Sequence, residues 1–265
     1  MELSQTAVSN HLKTTWLGQT YHHFASIGST NSYLKQQPHL PHGTVIVTDF
    51  QEAGRGRFDR VWQAPPRSSL LISILLRPTW PTEQLVWLGM LAGLAGIEAI
   101  DDVAQVAVAL KWPNDLVVQY DNQWHKLSGL LVEMNWLAGR QTPDAIIGMG
   151  LNVNIEAEDL PTAATPATSL KVATGQPVSR LALLCRFLER LEAWYERVAK
   201  GESPQPLWEK QLITIGEQVQ VTAVRDGRGF SGLAESTNQW GQLLVRDETG
   251  KLHTVSAGDV TLRKR

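Results

Sequence analysis

Between residues 43 and 155 the chain carries five apolar runs rich in valine, isoleucine and leucine: "GTVIVTDF", "SSLLISILLRP", "VAVALKWPNDLVVQY", "WHKLSGLLVEMNW" and "DAIIGMGLNVNI". Turn-forming residues bound them, and their β-branched content predicts buried strands rather than helices. Helical spacing is confined to a few places. "STNSYLKQQ" from Ser29 reads as a capped helix start. Residues 82–100 read as a helix with Pro81 at its start, where a missing N–H costs nothing. Residues 179–200 form a long amphipathic pattern, and 159–168, rich in Pro, Thr and Ala, reads as a surface loop. After Gly216 the texture changes to short strands separated by Asp-Gly, Gln-Trp-Gly and Thr-Gly turns, the pattern of a small all-β barrel or sandwich. The fold class is therefore α+β with a β appendix, and a domain boundary is expected within 203–216.

The 265 residues suffice for a large core with a smaller unit attached. A net charge of -2 argues against a general nucleic-acid or anionic-membrane binder, since such partners require a broad basic face. One cysteine, Cys185, excludes an internal disulfide framework and a thiolate cluster, and its helical context makes it a core thiol. The opening segment has no basic stretch followed by an apolar run, so no signal peptide is expected. "LVWLGMLAGLAGIEAI" carries Glu98 and is shorter than the roughly 18 residues that suggest a membrane span. The expected setting is cytoplasmic.

Against that balance, "AGRGRFDRVWQAP" concentrates Arg55, Arg57 and Arg60 beside Gly54 and Gly56. Guanidinium groups are fixed charges with forked donors suited to carboxylate and phosphate oxygens. The glycines let backbone N–H groups approach an anion. The stretch has no strand or helix period and reads as a loop, with Trp62 either stacking on a purine or anchoring the loop. "KWPNDL" brings Lys111, Asn114 and Asp115 to a turn that is either only a turn or a place for phosphate and hydrated Mg²⁺. In "HKLSGLLVE" Lys126 is either a solvated strand charge or a point charge facing a reacting anion. "GMGLNVN" lacks the third glycine of a dinucleotide fingerprint, leaving a bulge or the close approach of a flat ligand. Phosphate loops of the G-x-x-x-x-G-K-[ST] kind, H-E-x-x-H and G-x-S-x-G are absent.

Taken in order, "STN", "TDFQEAGRGR", "RVW", "KWPNDL", "KLSGLLVE" and "GMGLNVN" resemble the biotin protein ligases. The likeness runs from about residue 24 to 155, and the tail is similar to the small SH3-like barrel of that family. The resemblance implies a catalytic domain, 1–212, built on a mixed β-sheet flanked by helices in the class II synthetase-like fold, then an SH3-like barrel, 213–265. It implies two half-reactions. Biotin and ATP, with Mg²⁺, give biotinyl-5′-AMP and pyrophosphate; a lysine of a biotin carboxyl carrier protein of acetyl-CoA carboxylase then takes the biotinyl group. Ser29, Thr30, Asn31, Gln51, Gly54, Arg55, Gly56, Arg57, Lys126, Gly129, Gly148 and Gly150 match biotin-binding positions. Arg57, Arg60, Trp62, Lys111, Asn114, Asp115, Lys126 and Asn152 match nucleotide positions. Lys126, Arg57 and Asp115 are the implied catalytic groups, with Asp115 on the metal. The arginine loop would be an anion clamp and a lid, excluding water from a labile anhydride.

Two departures stand out. The family loop often ends in glycine–arginine, and here Asp59 replaces that glycine. Only about two dozen residues precede the motifs, too few for the winged helix-turn-helix of some members, so the expected form lacks DNA binding, as monomer or homodimer. The alternatives are a lipoate or octanoate ligase or transferase of the same fold, and a non-enzymatic anion- or nucleic-acid-binding module.

Overall fold

The computed structural model describes residues 2–58, 60–161, 166–222, 229–256 and 259–262, the last four as backbone only. Asp59, part of the 159–168 loop and the Asp226-Gly227 turn lie outside the described residues.

The apolar runs build a seven-stranded mixed sheet. Its strands are β1 (Tyr21–Phe24), β2 (Val45–Thr48), β3 (Ser69–Leu76), β4 (Val108–Lys111), β5 (Asp115–Tyr120), β6 (Gln123–Asn135) and β7 (Asp144–Asn152), in the order β1-β2-β3-β7-β6-β5-β4. Only β1 and β2 are parallel; the remaining pairs are antiparallel. The run read as "VAVALKWPNDLVVQY" is two strands, because residues 112–114 turn β4 back into β5.

Both sheet faces are covered, which is why β2 and β3 read as unbroken apolar runs instead of alternating. On one face, Val45, Val47, Ile72, Ile74 and Ile147 enter the main core with the long helices α3 (Trp87–Ala104) and α5 (Arg180–Ala199). Ile46, Leu75 and Ile146, one residue out of phase, pack on the other face against Leu34 of the short helix α2 (Thr30–Lys35). Ser29 caps α2 and Ser179 caps α5, each side-chain oxygen accepting from a backbone N–H three residues on. The helix expected over 82–100 is a 3₁₀ turn, Thr82–Val86, followed by α3, which ends at Gln105 in a left-handed conformation. Three further short helices were not legible in the pattern: α1 (Gln5–His11), α4 (Leu170–Thr174) and α6 (Gln205–Lys210).

Beyond α6, the strands β8 (Gln218–Thr222), β9 (Gly229–Thr237), β10 (Leu243–Asp247), β11 (Leu252–Val255) and β12 (Asp259–Leu262) form an antiparallel sheet in the order β11-β10-β9-β8-β12. Its two outer strands are not paired with each other, so among the described residues the sheet is open and a closed barrel is not found. The main core runs on into this sheet through Val219, Val221, Ala234, Leu243 and Val245. The indole N–H groups of Trp87 and Trp112 donate to the carbonyls of Gln239 and Gly241. Leu110 of β4 exchanges backbone hydrogen bonds with Gln211 and Ile213. The edge of the large sheet is thereby covered by the segment that leads into the small one.

Candidate active site

On the α2 face of the large sheet lies a cleft of about 620 Å³. It gathers every residue matched to a biotin or nucleotide position except Gly54. Gly54 sits behind the wall: a β-carbon there would collide with the Trp62 carbonyl, and its own carbonyl accepts from Trp62 N–H at 3.0 Å.

At one end, polar side chains are locked to each other. The Gln51 Oε1 accepts from both the backbone N–H (2.9 Å) and the hydroxyl (3.0 Å) of Thr30. The buried Ser73 hydroxyl lies 2.7 Å from Thr30 Oγ1 and 2.5 Å from Asn31 Oδ1. Asn31 Nδ2 donates to Glu133 Oε2 at 2.8 Å. With both amides committed on one side, Gln51 retains its Nε2 donors for a ligand, a fixed donor pattern in a half-buried wall. Glycine is required opposite this network, because a β-carbon on Gly148 would run into the Asn31 amide.

The other end is charged. The arginine stretch has the sequence of a loop, and in the structure its described arms, 54–58 and 60–62, pair with each other as a hairpin. Arg55 bridges Val61, and Gly56 N–H donates to the Arg60 carbonyl at 2.7 Å. Arg57 reaches across the cleft and donates to Asn114 Oδ1 at 3.1 Å. Asn114 is in turn held by the backbone of Leu130 on β6. Lys126 Nζ pairs with Asp115 Oδ1 at 2.7 Å and lies 5.8 Å from the centre of the Trp62 ring. Trp62 lies on a floor made of two paired glycines, Gly129 and Gly150; a β-carbon on Gly150 would come within 2.5 Å of the indole. The indole Nε1 is buried, with no hydrogen-bond partner among the described residues.

Lys126 owes its direction to a β-bulge. Asp115 pairs with Gly129 and Leu116 with Ser128, but Val117 pairs with Lys126, so Leu127 is one residue too many. Strict alternation would place Lys126 and Gly129 on opposite faces; the extra residue places them on the same one. A β-carbon on Gly129 would indeed lie 3.5 Å from Lys126 Nζ. Beyond the end of β7, Ala167 forms an isolated bridge with Lys126: Lys126 N–H donates to the Pro166 carbonyl, and Thr168 N–H donates to the Lys126 carbonyl. Asn152 Nδ2 closes the same corner by donating to the Thr168 carbonyl at 3.0 Å.

The residue list drawn from the sequence omits Glu133, Lys35 and Ser73. Glu133 accepts from Lys35 Nζ at 2.6 Å and sits 3.2 Å from Arg55 Nη2. Burial alone would raise its pKa, but the hydrogen bonds from Lys35 and Asn31 and the charges of Lys35 and Arg55 outweigh it and hold the carboxyl below its ordinary value. A signal was available: Gly129, Leu131 and Glu133 alternate on the cleft face of β6, an acidic residue on a half-buried face.

Among known proteins, the model of the biotin/lipoate A/B protein ligase family matches residues 23–152. Over 98% of its length the chain is 30% identical to the bifunctional ligase/repressor BirA of Bacillus subtilis (strain 168), covering 79% of that protein. It is 32% identical to the biotin–[acetyl-CoA-carboxylase] ligase of Mycobacterium tuberculosis, over 89% of this chain and 86% of the relative. The fold superposes on the biotin protein ligase of Aquifex aeolicus in complex with biotin and ATP with a TM-score of 0.75, at 28% identity, covering 93% of this chain and all of that one.

Proposed function

Because this chain belongs to the biotin protein ligases of the biotin/lipoate A/B protein ligase family, we propose that the cleft joins biotin to ATP and then to a carrier lysine. The observation that carries the reading is a single cleft with two chemically different ends, one of fixed amides and hydroxyls, the other of cations. The first end suits a ureido ring, which needs directional donors and acceptors. The second suits a carboxylate that must be pressed against a phosphate.

In the first half-reaction a biotin carboxylate oxygen attacks the α-phosphorus of ATP, the bond to the β-phosphate breaks, and pyrophosphate leaves. Opposing two anions requires cations held in place beforehand. Lys126 stands at the meeting of the two ends and exchanges its pairing with Asp115 for the reacting oxygens. Arg57 and the hairpin close over the adenylate, Trp62 lies against the adenine, and Arg60, Lys111, Asn114 and Asn152 serve the phosphates and ribose side. Asp115 is the one carboxylate lining the cleft among the described residues, and such a donor set fits Mg²⁺, an ion that takes one or two carboxylates plus phosphate oxygens. Bound there, Mg²⁺ would neutralise phosphate charge. In the second half-reaction the carrier lysine attacks the acyl carbon, the bond to AMP breaks, and the amine loses its proton.

The acceptor is a biotin carboxyl carrier protein of acetyl-CoA carboxylase. Residues 1–212 form the catalytic domain and 213–265 an SH3-like domain that buttresses the Lys111–Asp115 side through Trp112. A lipoate ligase is the second reading, and the Thr30–Gln51 network weighs against it: with Gln51 Oε1 held by Thr30, an apolar ring would leave the Gln51 Nε2 donors unpaired. ATP–pyrophosphate exchange with biotin, lipoate and octanoate in turn tests the assignment. Exchange with biotin alone is expected; exchange with lipoate moves the chain to the neighbouring reaction, and none with any acid removes the reading.

A further inference from the structure

We propose that Glu133 is a positioning residue that couples the two ends of the cleft, acting through Asn31 on the biotin side and Arg55 on the arginine hairpin. The inference rests on the functional reading above and adds to it a residue that joins binding of the acid to retention of its adenylate. Glu133 touches both sides. Its Oε2 accepts from Asn31 Nδ2, which fixes the amide so that Oδ1 faces Ser73. Its Oε1 takes Lys35 from α2 and Arg55 from the hairpin. The two cations share one carboxylate oxygen, so the cluster keeps one positive charge beside the cleft that Arg55 lines. The Glu133 side chain is only 14% exposed against 42% for Arg55, so the anchor is buried and the arm it holds is not. A neutral side chain at 133 would release that arm and leave the Asn31 amide free to turn.

The test compares wild type, Glu133→Gln, Arg55→Gln and the double variant. The readouts are the biotin KM and kcat of ATP–pyrophosphate exchange and the rate at which preformed biotinyl adenylate leaves the protein. Exchange by the wild type secures the functional reading independently; without it that reading fails, and the coupling is not what has failed. In Glu133→Gln, the biotin KM should rise and adenylate release should quicken, each on the order of tenfold, while kcat changes less. In the Arg55→Gln background, Glu133→Gln should add less to the release rate than it does alone, yet still raise the biotin KM through Asn31. Glu133→Asp, which keeps the charge, should recover part of both effects. A folded Glu133→Gln protein with unaltered KM and release overturns the proposal, as does full additivity of the two substitutions on release. Should Glu133→Gln fail to fold, Glu133→Asp and Arg55→Gln decide together: unaltered release in both overturns the coupling, and faster release in both sustains it.

Discussion

The two ends of the cleft are held by different physics. At the amide end, short hydrogen bonds among Gln51, Thr30, Ser73, Asn31 and Glu133 join four separate elements. Thr30, Asn31 and Ser73 are almost entirely buried, so each bond replaces water that is no longer present, and breaking one strands a polar group. At the charged end the hairpin leaves the side chains of Phe58 and Val61 exposed. One end is built before ligand arrives, while the other must be movable if substrate is to enter and the anhydride is to be covered. The difference shows how one small site separates selectivity from closure.

Substitutions can break this contrast, and the largest effect belongs to the charged end. Lys126→Ala should lower ATP–pyrophosphate exchange by about 10²–10³-fold with the fold kept, the cost of removing one preorganised electrostatic contact. Circular dichroism checks the fold, and normal exchange in this variant takes Lys126 out of the chemistry. At the amide end, Thr30→Val should weaken biotin by about 10–100-fold, because Gln51 Oε1 and Ser73 lose a partner at roughly 1–3 kcal/mol. Calorimetric titration with biotin measures it, and an equal loss toward lipoate would deny the network its selective role.

Gly150→Ala sharpens the contrast from the floor. Its methyl group would meet the Trp62 ring, so the indole must lift, and the ATP KM should rise several-fold while the biotin KM stays within about twofold, at a stability cost of roughly 1–3 kcal/mol. A biotin KM that rises in step would mean that the floor serves both ends alike. Arg57→Gly should leave exchange measurable but loosen the hairpin, so that lysines on bystander proteins become biotinylated. Labelling confined to the carrier would refute the clamp. The smallest effect is a pH dependence. The Glu133 carboxyl is held below its ordinary value of 4.5 in the folded protein, so it binds fewer protons folded than unfolded, and the stability it adds is present above about pH 4.5 and lost as pH falls through the folded pKa. Denaturant unfolding of wild type and Glu133→Gln should show a constant difference above that pH and a shrinking one below it.

Much of the cleft was legible because its pieces are local. Ser29 announces a cap, the glycines announce close approach, and arginines among glycines announce an anion. Each of these signals is complete within about ten residues. What could not be read depends on contacts across long separations. Glu133 meets Lys35 and Asn31 from 98 and 102 positions away. The hairpin inside the arginine stretch has no hydrophobic period, since its shape comes from Gly54 passing close under Trp62. The bulge at Leu127 is likewise silent, because one surplus residue appears only when β6 is laid beside β5.

The sequence by itself determined the composition of the site and the order of its strands along the chain, since turn residues, caps and buried runs act through the nearest neighbours. Only the tertiary structure decided which way Lys126 faces and what Glu133 holds. It also decided that the segment carrying Trp112 is braced by Gly241, between β9 and β10, and by Thr214, ahead of β8. Those outcomes depend on pairing register and on burial, which set the direction and strength of a charge or hydrogen bond, and neither exists until distant segments have been brought together.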